Sequence, residues 1–358
     1  MIEFLGILYV LTVVAMSLFG FLGLFTLILY WRHRHDNTPC PALPADLPPV
    51  TIQLPIFNEK YVVARLINAA VAQQYPLERL HVQVVDDSTD DTTDIAAELV
   101  TAYKRKGVHI DLVHRDNRLG YKAGALGAAL PQAAGEFIAI FDADFEPKPD
   151  FLQQTIPYFV NEPALGMIQA RWGHLNADDS ALTAAQAIAL DKHFAMEQTV
   201  RHRANMYPKF NGAGGIWRRS CMEDAGGWQD DTVCEDLDLS TRAILKGWQF
   251  RFLNDVTAPA ELPTSITAYK SQQARWAKGS TQCLNKFGWE ILTDKQHSLS
   301  ARLYALVSMS AYSTHLLLLV LLFLQIPLIY GHYRFPTMLF IFSLIAIGQP
   351  LLFVLGQQ

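Results

Sequence analysis

The sequence predicts an α/β domain with a mostly parallel central sheet, set between apolar ends that supply about three transmembrane helices and bordered by interfacial amphipathic helices. Three observations lead there. From Val50 to Phe159 short apolar runs alternate with longer amphipathic stretches, the pattern of a sheet built from β-α units. Apolar residues concentrate at both ends of the chain, in stretches long enough to cross a bilayer. Two of the short runs end in paired acids, where ligands gather in open parallel sheets.

Composition sets limits on this reading. At 358 residues and 51% hydrophobic content, the chain is too apolar for an ordinary soluble domain of its size. A formal net charge of -5 suggests no strongly basic surface, so no nucleic acid is expected as a partner.

Taken in order, Phe4 to Trp31 carries no charge and as a helix reaches about 40 Å, more than a bilayer core. Glu3 precedes it and Arg32-His33-Arg34 follows, so residues 1–31 read as a retained anchor rather than a cleaved signal. Residues 32–49 form a linker, with five prolines between Asp36 and Pro49. The domain at 50–262 opens with Val50 to Ile56, then Glu59 to Gln74. There follow Val82 to Val85 with Asp90 to Lys106, His109 to Val113 with Tyr121 to Ala134, and Phe137 to Phe141 with Asp150 to Phe159. Asp90 and Asp150 read as helix caps. Ser180 to Tyr207, with Phe194 and Met196 among His193, Arg201, His202 and Arg203, is either a membrane-surface helix or a core helix. Residues 263–303 hold interfacial helices, and 304–355 a hairpin of two spans, Tyr304 to Tyr330 and Pro336 to Leu355.

Arg32 and Arg34 after the first span, with Lys278, Lys286, Lys295 and Arg302 before the second, place residues 32–303 in the cytoplasm. The expectation is an integral protein of the plasma (inner) membrane with its N-terminus outside. Cys40, Cys221, Cys234 and Cys283 show no C-x-x-C spacing, in keeping with thiols in a reducing compartment.

The acids define the chemistry. Val82 to Val85 runs into Asp86-Asp87, and a carboxylate at that strand end can accept the imide hydrogen of a uracil ring. Phe137 to Phe141 runs into Asp142-Ala143-Asp144; if the backbone stays extended, both acids point to one side and share a hard divalent ion. Lys122 opens a helix, where ammonium and helix N-terminus both favour phosphate. Glu235-Asp236 opens another, and an acidic first turn also complements the helix dipole. Gln272, Arg275 and Trp276 fall on one helical face. Arg275 can bind a diphosphate bidentately and Trp276 can stack on an acceptor sugar, although the same pair suits a headgroup anchor.

Ile56-Phe57-Asn58-Glu59, Val85-Asp86-Asp87-Ser88, Phe141-Asp142-Ala143-Asp144-Phe145, Phe210-Asn211-Gly212-Ala213-Gly214-Gly215, Glu235-Asp236 and Gln272-Gln273-Ala274-Arg275-Trp276 together resemble the cellulose-synthase-related branch of membrane-bound family 2 glycosyltransferases. The likeness covers about Val50 to Trp289 and is nearest to mannan-synthase-like and bacterial β-glucan-synthase-like members. It implies a GT-A fold, a UDP-sugar or GDP-sugar donor, Mg²⁺ or Mn²⁺, and inversion at the anomeric carbon. Asp86 and Asp87 would then hold the nucleotide base, Asp142 and Asp144 the metal and diphosphate, and Asp236 would be the general base. Glu235, Gln272, Arg275 and Trp276 would bind diphosphate and acceptor. Cys234 stands where the family usually has threonine, which leaves a role for that hydroxyl open.

Three functions are compatible with these residues. One is a processive synthase making a β-linked glucan or mannan from UDP-glucose or GDP-mannose and exporting it. The second adds one sugar to a lipid acceptor, and the third is a non-catalytic membrane subunit. Three spans are few for a sugar channel; the chain ends at Gln358 just after a span, so further helices are expected beyond it or from a second copy in a homo-oligomer.

Overall fold

The computed structural model describes residues 1–36 and 39–357; residues 37 and 38 of the expected linker, and Gln358, lie outside the described residues. Two compact units are present. One comprises residues 37–187 and 208–279, the other 1–36, 188–207 and 280–358. The interval 188–207, expected within the α/β domain, belongs instead to the apolar unit.

The α/β unit is built on a seven-stranded sheet of β1 (Val50–Ile56), β2 (Leu80–Asp86), β3 (Ile110–His114), β4 (Phe137–Ile140), β5 (Leu165–His174), β6 (Gly215–Arg218) and β7 (Gln249–Ala260). Their order is β3-β2-β1-β4-β6-β5-β7. The first four are parallel, β6 runs antiparallel to both β4 and β5, and β7 is parallel to β5. β1, β2 and β4 are buried along almost their whole length, which is why they read as unbroken apolar runs: a parallel strand covered on both faces has no polar side.

The helices are shorter than the sequence pattern predicts. Val63–Val71 buries Val63, Leu66, Ile67 and Ala70, a spacing that lays one apolar stripe on the sheet. It starts after Glu59 because Asn58 adopts a left-handed φ of 56°; its side chain accepts the Thr89 N–H at 2.9 Å and its own N–H reaches the Ser88 hydroxyl at 2.9 Å. The ends of β1 and β2 are thereby tied together before the helix begins. Thr92–Arg105 likewise starts beyond Asp90, whose carboxylate accepts the Thr92 N–H. Asp150 occupies the cap position of Phe151–Asn161 but accepts from the Gln154 side chain instead of the backbone.

Parallel pairing aligns the carboxyl ends of β1, β2 and β3, with Ile56 beside Asp86 and Asp86 beside His114. The reversed strand has a further effect. Because β6 is antiparallel, its first residue Gly215 lies beside Ile140, the last of β4, and beside Gln169 of β5. The segment leading into β6 therefore arrives at the same edge as the acids.

In the apolar unit, Ile2–His33 and Ser313–Tyr330 are the two helices among the described residues long and apolar enough to cross a membrane. The second starts nine residues after Tyr304, its expected first residue. Tyr304 belongs to Leu299–Met309, and the hydroxyls of Ser308, Ser310 and Thr314 bond to the carbonyls of Tyr304, Val307 and Ala311 around the break, competing with the helical ladder. The expected third span is likewise divided, into Leu339–Ile345 and Gly348–Leu355. The break packs on the first helix without side chains between: a Cβ on Gly20 would lie 2.7 Å from the Ile345 carbonyl oxygen, and one on Gly23 2.7 Å from the Gly348 carbonyl carbon. Small residues permit such backbone contact in apolar surroundings. Phe194 and Met196 are fully buried, Met196 against Leu27 and Leu352, so that segment has the character of a core helix.

Candidate active site

The crevice at the carboxyl edge is assembled from four pieces of the α/β unit. At the end of β2, Asp86 is wholly buried. One of its oxygens accepts the Ser88 N–H at 2.9 Å, the other the Thr93 hydroxyl at 2.6 Å and His114 Nδ1 at 2.8 Å. Burial alone would raise its pKa, but the hydrogen bonds from Ser88, Thr93 and His114 outweigh it and hold the group below its ordinary value. Asp87 takes both oxygens to the Arg115 guanidinium, at 2.7 Å and 2.5 Å. Arg115 also donates to the carbonyls of Leu119 at 3.1 Å and Tyr121 at 3.3 Å. Next to this pair is a cavity of about 350 Å³, walled by Phe57, Ser88, His114 and Arg118 among others, with the Arg118 guanidinium 3.2 Å from the centre of the Phe57 ring.

After β4 the chain does not stay extended. The Phe145 N–H bonds to the Asp142 carbonyl at 3.1 Å, closing a turn, and Phe145 then pairs with Ala260. Burial nevertheless alternates through Phe141, Asp142, Ala143, Asp144 and Phe145, so that both acids stay half-buried while their neighbours fill the core. Lys122, in the first turn of Tyr121–Ala129, places its ammonium 2.5 Å from Asp142, 3.0 Å from the Gly212 carbonyl and 3.8 Å from Glu235. Burial works to lower its pKa, and the Asp142 and Glu235 carboxylates outweigh that and raise it, so this lysine keeps its charge.

The third piece is the loop before β6. Gln169 of β5 donates to the carbonyls of Ala170 at 2.8 Å and of Ala213 and Gly214 at 3.1 Å, and accepts the Asn211 N–H at 2.8 Å. The Trp172 indole also bonds to the Ala213 carbonyl. Gly212 has φ +87°, and a Cβ there would stand 3.4 Å from Asp236 Oδ2 and 3.7 Å from Lys122 Nζ.

The fourth piece is Glu235–Leu245. Asp236 accepts the Leu237 N–H at 2.8 Å, and Ser240 donates to the Asp236 carbonyl at 2.6 Å while accepting the Phe210 N–H. That serine fastens the helix to the glycine-rich loop. Glu235 is pushed up to about 7 by burial, with Asp236 adding to the shift. Asp144 is pushed up to about 7 by burial and the neighbouring Asp142 charge. Burial also raises Asp236. The four carboxylates gather around Lys122, with Lys209 also acting on Asp236, and the excess negative charge suits a hard divalent ion with oxygen ligands. Asp142 and Asp144 fit such an ion. A different cluster, His81, His109 and Asp111, lies at the amino end of β2 and β3. There Lys104 already pairs with Asp111 at 2.7 Å and the two imidazoles are stacked 4.0 Å apart, an arrangement in which one ion cannot meet both rings in their planes.

Gln272, Arg275 and Trp276 lie on the helix Ile266–Thr293. Arg275 is exposed and Gln272 and Trp276 are half-buried. The residues missing from the sequence reading are Arg115, His114, Gln169 and Ser240. Gln169 leaves a trace, a lone amide inside the apolar run Leu165 to Ala170; the others leave none.

A model of the glycosyltransferase like family 2 matches residues 48–279. Over 265 residues the chain is 42% identical to glucomannan 4-beta-mannosyltransferase 9 of Arabidopsis thaliana, a match spanning 73% of this chain and 50% of the relative. A probable glucomannan 4-beta-mannosyltransferase 9 of Oryza sativa subsp. japonica is 42% identical over 269 residues, with the same coverage. The chain therefore spans about half the length of these curated relatives. Among solved structures, the mannosyltransferase PcManGT from Pyrobaculum calidifontis, in complex with GDP-Man and Mn²⁺, superposes with a TM-score of 0.65 at 22% identity, covering 98% of this chain and 92% of that one. S. aureus TarS 1-349 in complex with UDP-GlcNAc gives 0.53 at 17% identity over 75% and 72%. Both likenesses are of fold, and the fold is the GT-A type.

Proposed function

We propose that this chain, which belongs to glycosyltransferase family 2, is an inverting β-mannosyltransferase that extends a β-linked mannan or glucomannan from GDP-mannose. The observation that carries the proposal is the cluster of Asp142, Asp144, Glu235 and Asp236 around Lys122. The choice of sugar is supported by the 42% identity to glucomannan 4-beta-mannosyltransferases.

In this reading Asp87, held by Arg115, presents its carboxylate edge beside the 350 Å³ cavity to the nucleotide base, while Asp86 shapes the turn beneath it. Asp142 and Asp144 would hold Mn²⁺ or Mg²⁺, which when bound would neutralise the diphosphate as leaving group. Lys122 balances the charge that remains. Asp236 takes the proton from the acceptor hydroxyl as that oxygen forms its bond to the anomeric carbon, and the bond to the nucleoside diphosphate breaks on the opposite face, inverting the centre. One base is sufficient, because the diphosphate leaves without needing a proton. The burial that raises Asp236 makes it a stronger base than an exposed carboxylate. Arg275 and Trp276 bind diphosphate and acceptor sugar. Residues 32–303 face the cytoplasm by the distribution of Arg and Lys, and the product passes outward.

The test is incubation of membrane-reconstituted protein with Mn²⁺ and radiolabelled GDP-mannose or UDP-glucose, followed by separation of polymer from solvent-extractable lipid. Polymer labelled from GDP-mannose and digested by a β-mannanase is expected. Label confined to lipid would overturn the polymer reading, and label from UDP-glucose alone would overturn the choice of sugar.

A further inference from the structure

We propose that Cys234 and Gly279 form a positioning pair that sets the helix bearing Gln272, Arg275 and Trp276 against the helix bearing Glu235 and Asp236. The proposal rests on the roles given above to Asp236, Arg275 and Trp276. Cys234 is the cap residue immediately before Glu235, and its carbonyl accepts the Asp238 N–H at 3.0 Å, the first bond of that helix. Its thiol is directed at the other helix, with Sγ 4.0 Å from the Arg275 carbonyl oxygen. One turn later stands Gly279, which is buried. A Cβ there would lie 2.1 Å from Cys234 Sγ, 2.7 Å from its Cβ and 2.8 Å from its backbone nitrogen. The sulfur therefore occupies a notch between Arg275 and Gly279 that exists only because residue 279 has no side chain.

Two features make this more than incidental packing. Glycine in a helix interior is a poor helix former and calls for a packing reason, which the 2.1 Å approach supplies. Gly288, a second glycine of the same helix, would meet nothing closer than 3.8 Å. Gly279 also follows Trp276 by three residues and Arg275 by four, so it shares their face of the helix. The contact thus joins the backbone of the base helix to the turn that carries the diphosphate and acceptor groups. It also accounts for the residue before Glu235: here the cap side chain serves as a spacer between two helices.

The experiment uses the full chain in lipid nanodiscs on a Cys40→Ser background, since Cys221 and Cys283 are buried. Maleimide labelling of Cys234 reports the contact, and turnover with GDP-mannose reports its consequence. Gly279→Ala is expected to speed labelling and to lower kcat about tenfold or more, the cost of a sub-ångström misplacement, and to raise donor KM as well, because the displaced turn carries Arg275, which binds the diphosphate. Gly288→Ala should leave both unchanged. Cys234→Ala, which adds no atom, should lower kcat and raise donor KM in the same sense, and carries the test if Gly279→Ala does not fold. Gly279→Ala labelling and turning over like the parent would overturn the proposal, as would faster labelling at undiminished kcat. A parent without mannosyl transfer would overturn the functional reading instead, and labelling would then decide the contact by itself.

Discussion

Lys122 and the acids around it show how one residue's environment sets the working conditions of a site. With Asp144 and Glu235 pushed up to about 7, each group binds its proton more tightly in the folded chain than in the unfolded one. Their contribution to stability is complete below about pH 4 and is lost as pH rises through about 7. The metal-free protein should therefore lose Tm between pH 5 and 8, and Mn²⁺ should restore more of it at pH 8 than at pH 5; thermal unfolding with and without the ion checks this. Asp236→Asn should lower transfer by about 10²- to 10⁴-fold, the range for removing a general base, while GDP-mannose still binds with near-parental affinity by calorimetry. Retained turnover would remove Asp236 from its role. Arg115→Ala should weaken donor binding more than kcat, because Asp87 would lose the guanidinium that orients it.

Among the elements, the loop of residues 210–214 does most to form the crevice and was the least visible beforehand as a structure. Gly214 has φ +67°, and a Cβ there would lie 3.0 Å from Ala258 Cβ and 3.2 Å from Phe145 and Trp172. Gly214→Ala should cost about 1–3 kcal/mol through overpacking and backbone strain, measured by chemical unfolding. β1 to β4 are legible in the sequence because parallel strands of the sheet interior read as apolar runs, and the acids are legible because the runs of β2 and β4 stop at them. β5 to β7 are not: β5 carries Gln169 and Arg171 amid its apolar residues, β6 has four residues, and β7 shifts register against β5. Arg115 and Ser240 were illegible for another reason. Each acts across the fold from its sequence neighbours, Arg115 on Asp87 and Ser240 on Phe210, and no spacing records such a meeting. In the apolar unit, hydrophobicity marked the two long helices but neither the late start of the second nor the division of the expected third span.

On the scale of the whole molecule, both the α/β fold and the order of its motifs followed from the sequence, while the assignment of 188–207 to the apolar unit did not. That segment joins by contacts its composition does not announce: Arg203 donates to the carbonyls of His33, at 3.2 Å, and Arg34, at 2.6 Å, capping the first helix. Arg203→Ala should lower the detergent-solubilised Tm with little change in soluble nucleotide binding. The strand order has a further consequence, one of timing. Strands β3-β2-β1-β4 are complete once residue 140 has been made, and they carry Asp86, Asp87 and the approach to Asp142. The glycine-rich loop, the reversed strand and Asp236 come more than sixty residues later. On the ribosome, where chains fold from the N-terminus as they emerge, the half of the crevice proposed for the nucleotide can be in place while the half proposed for the acceptor is still being translated.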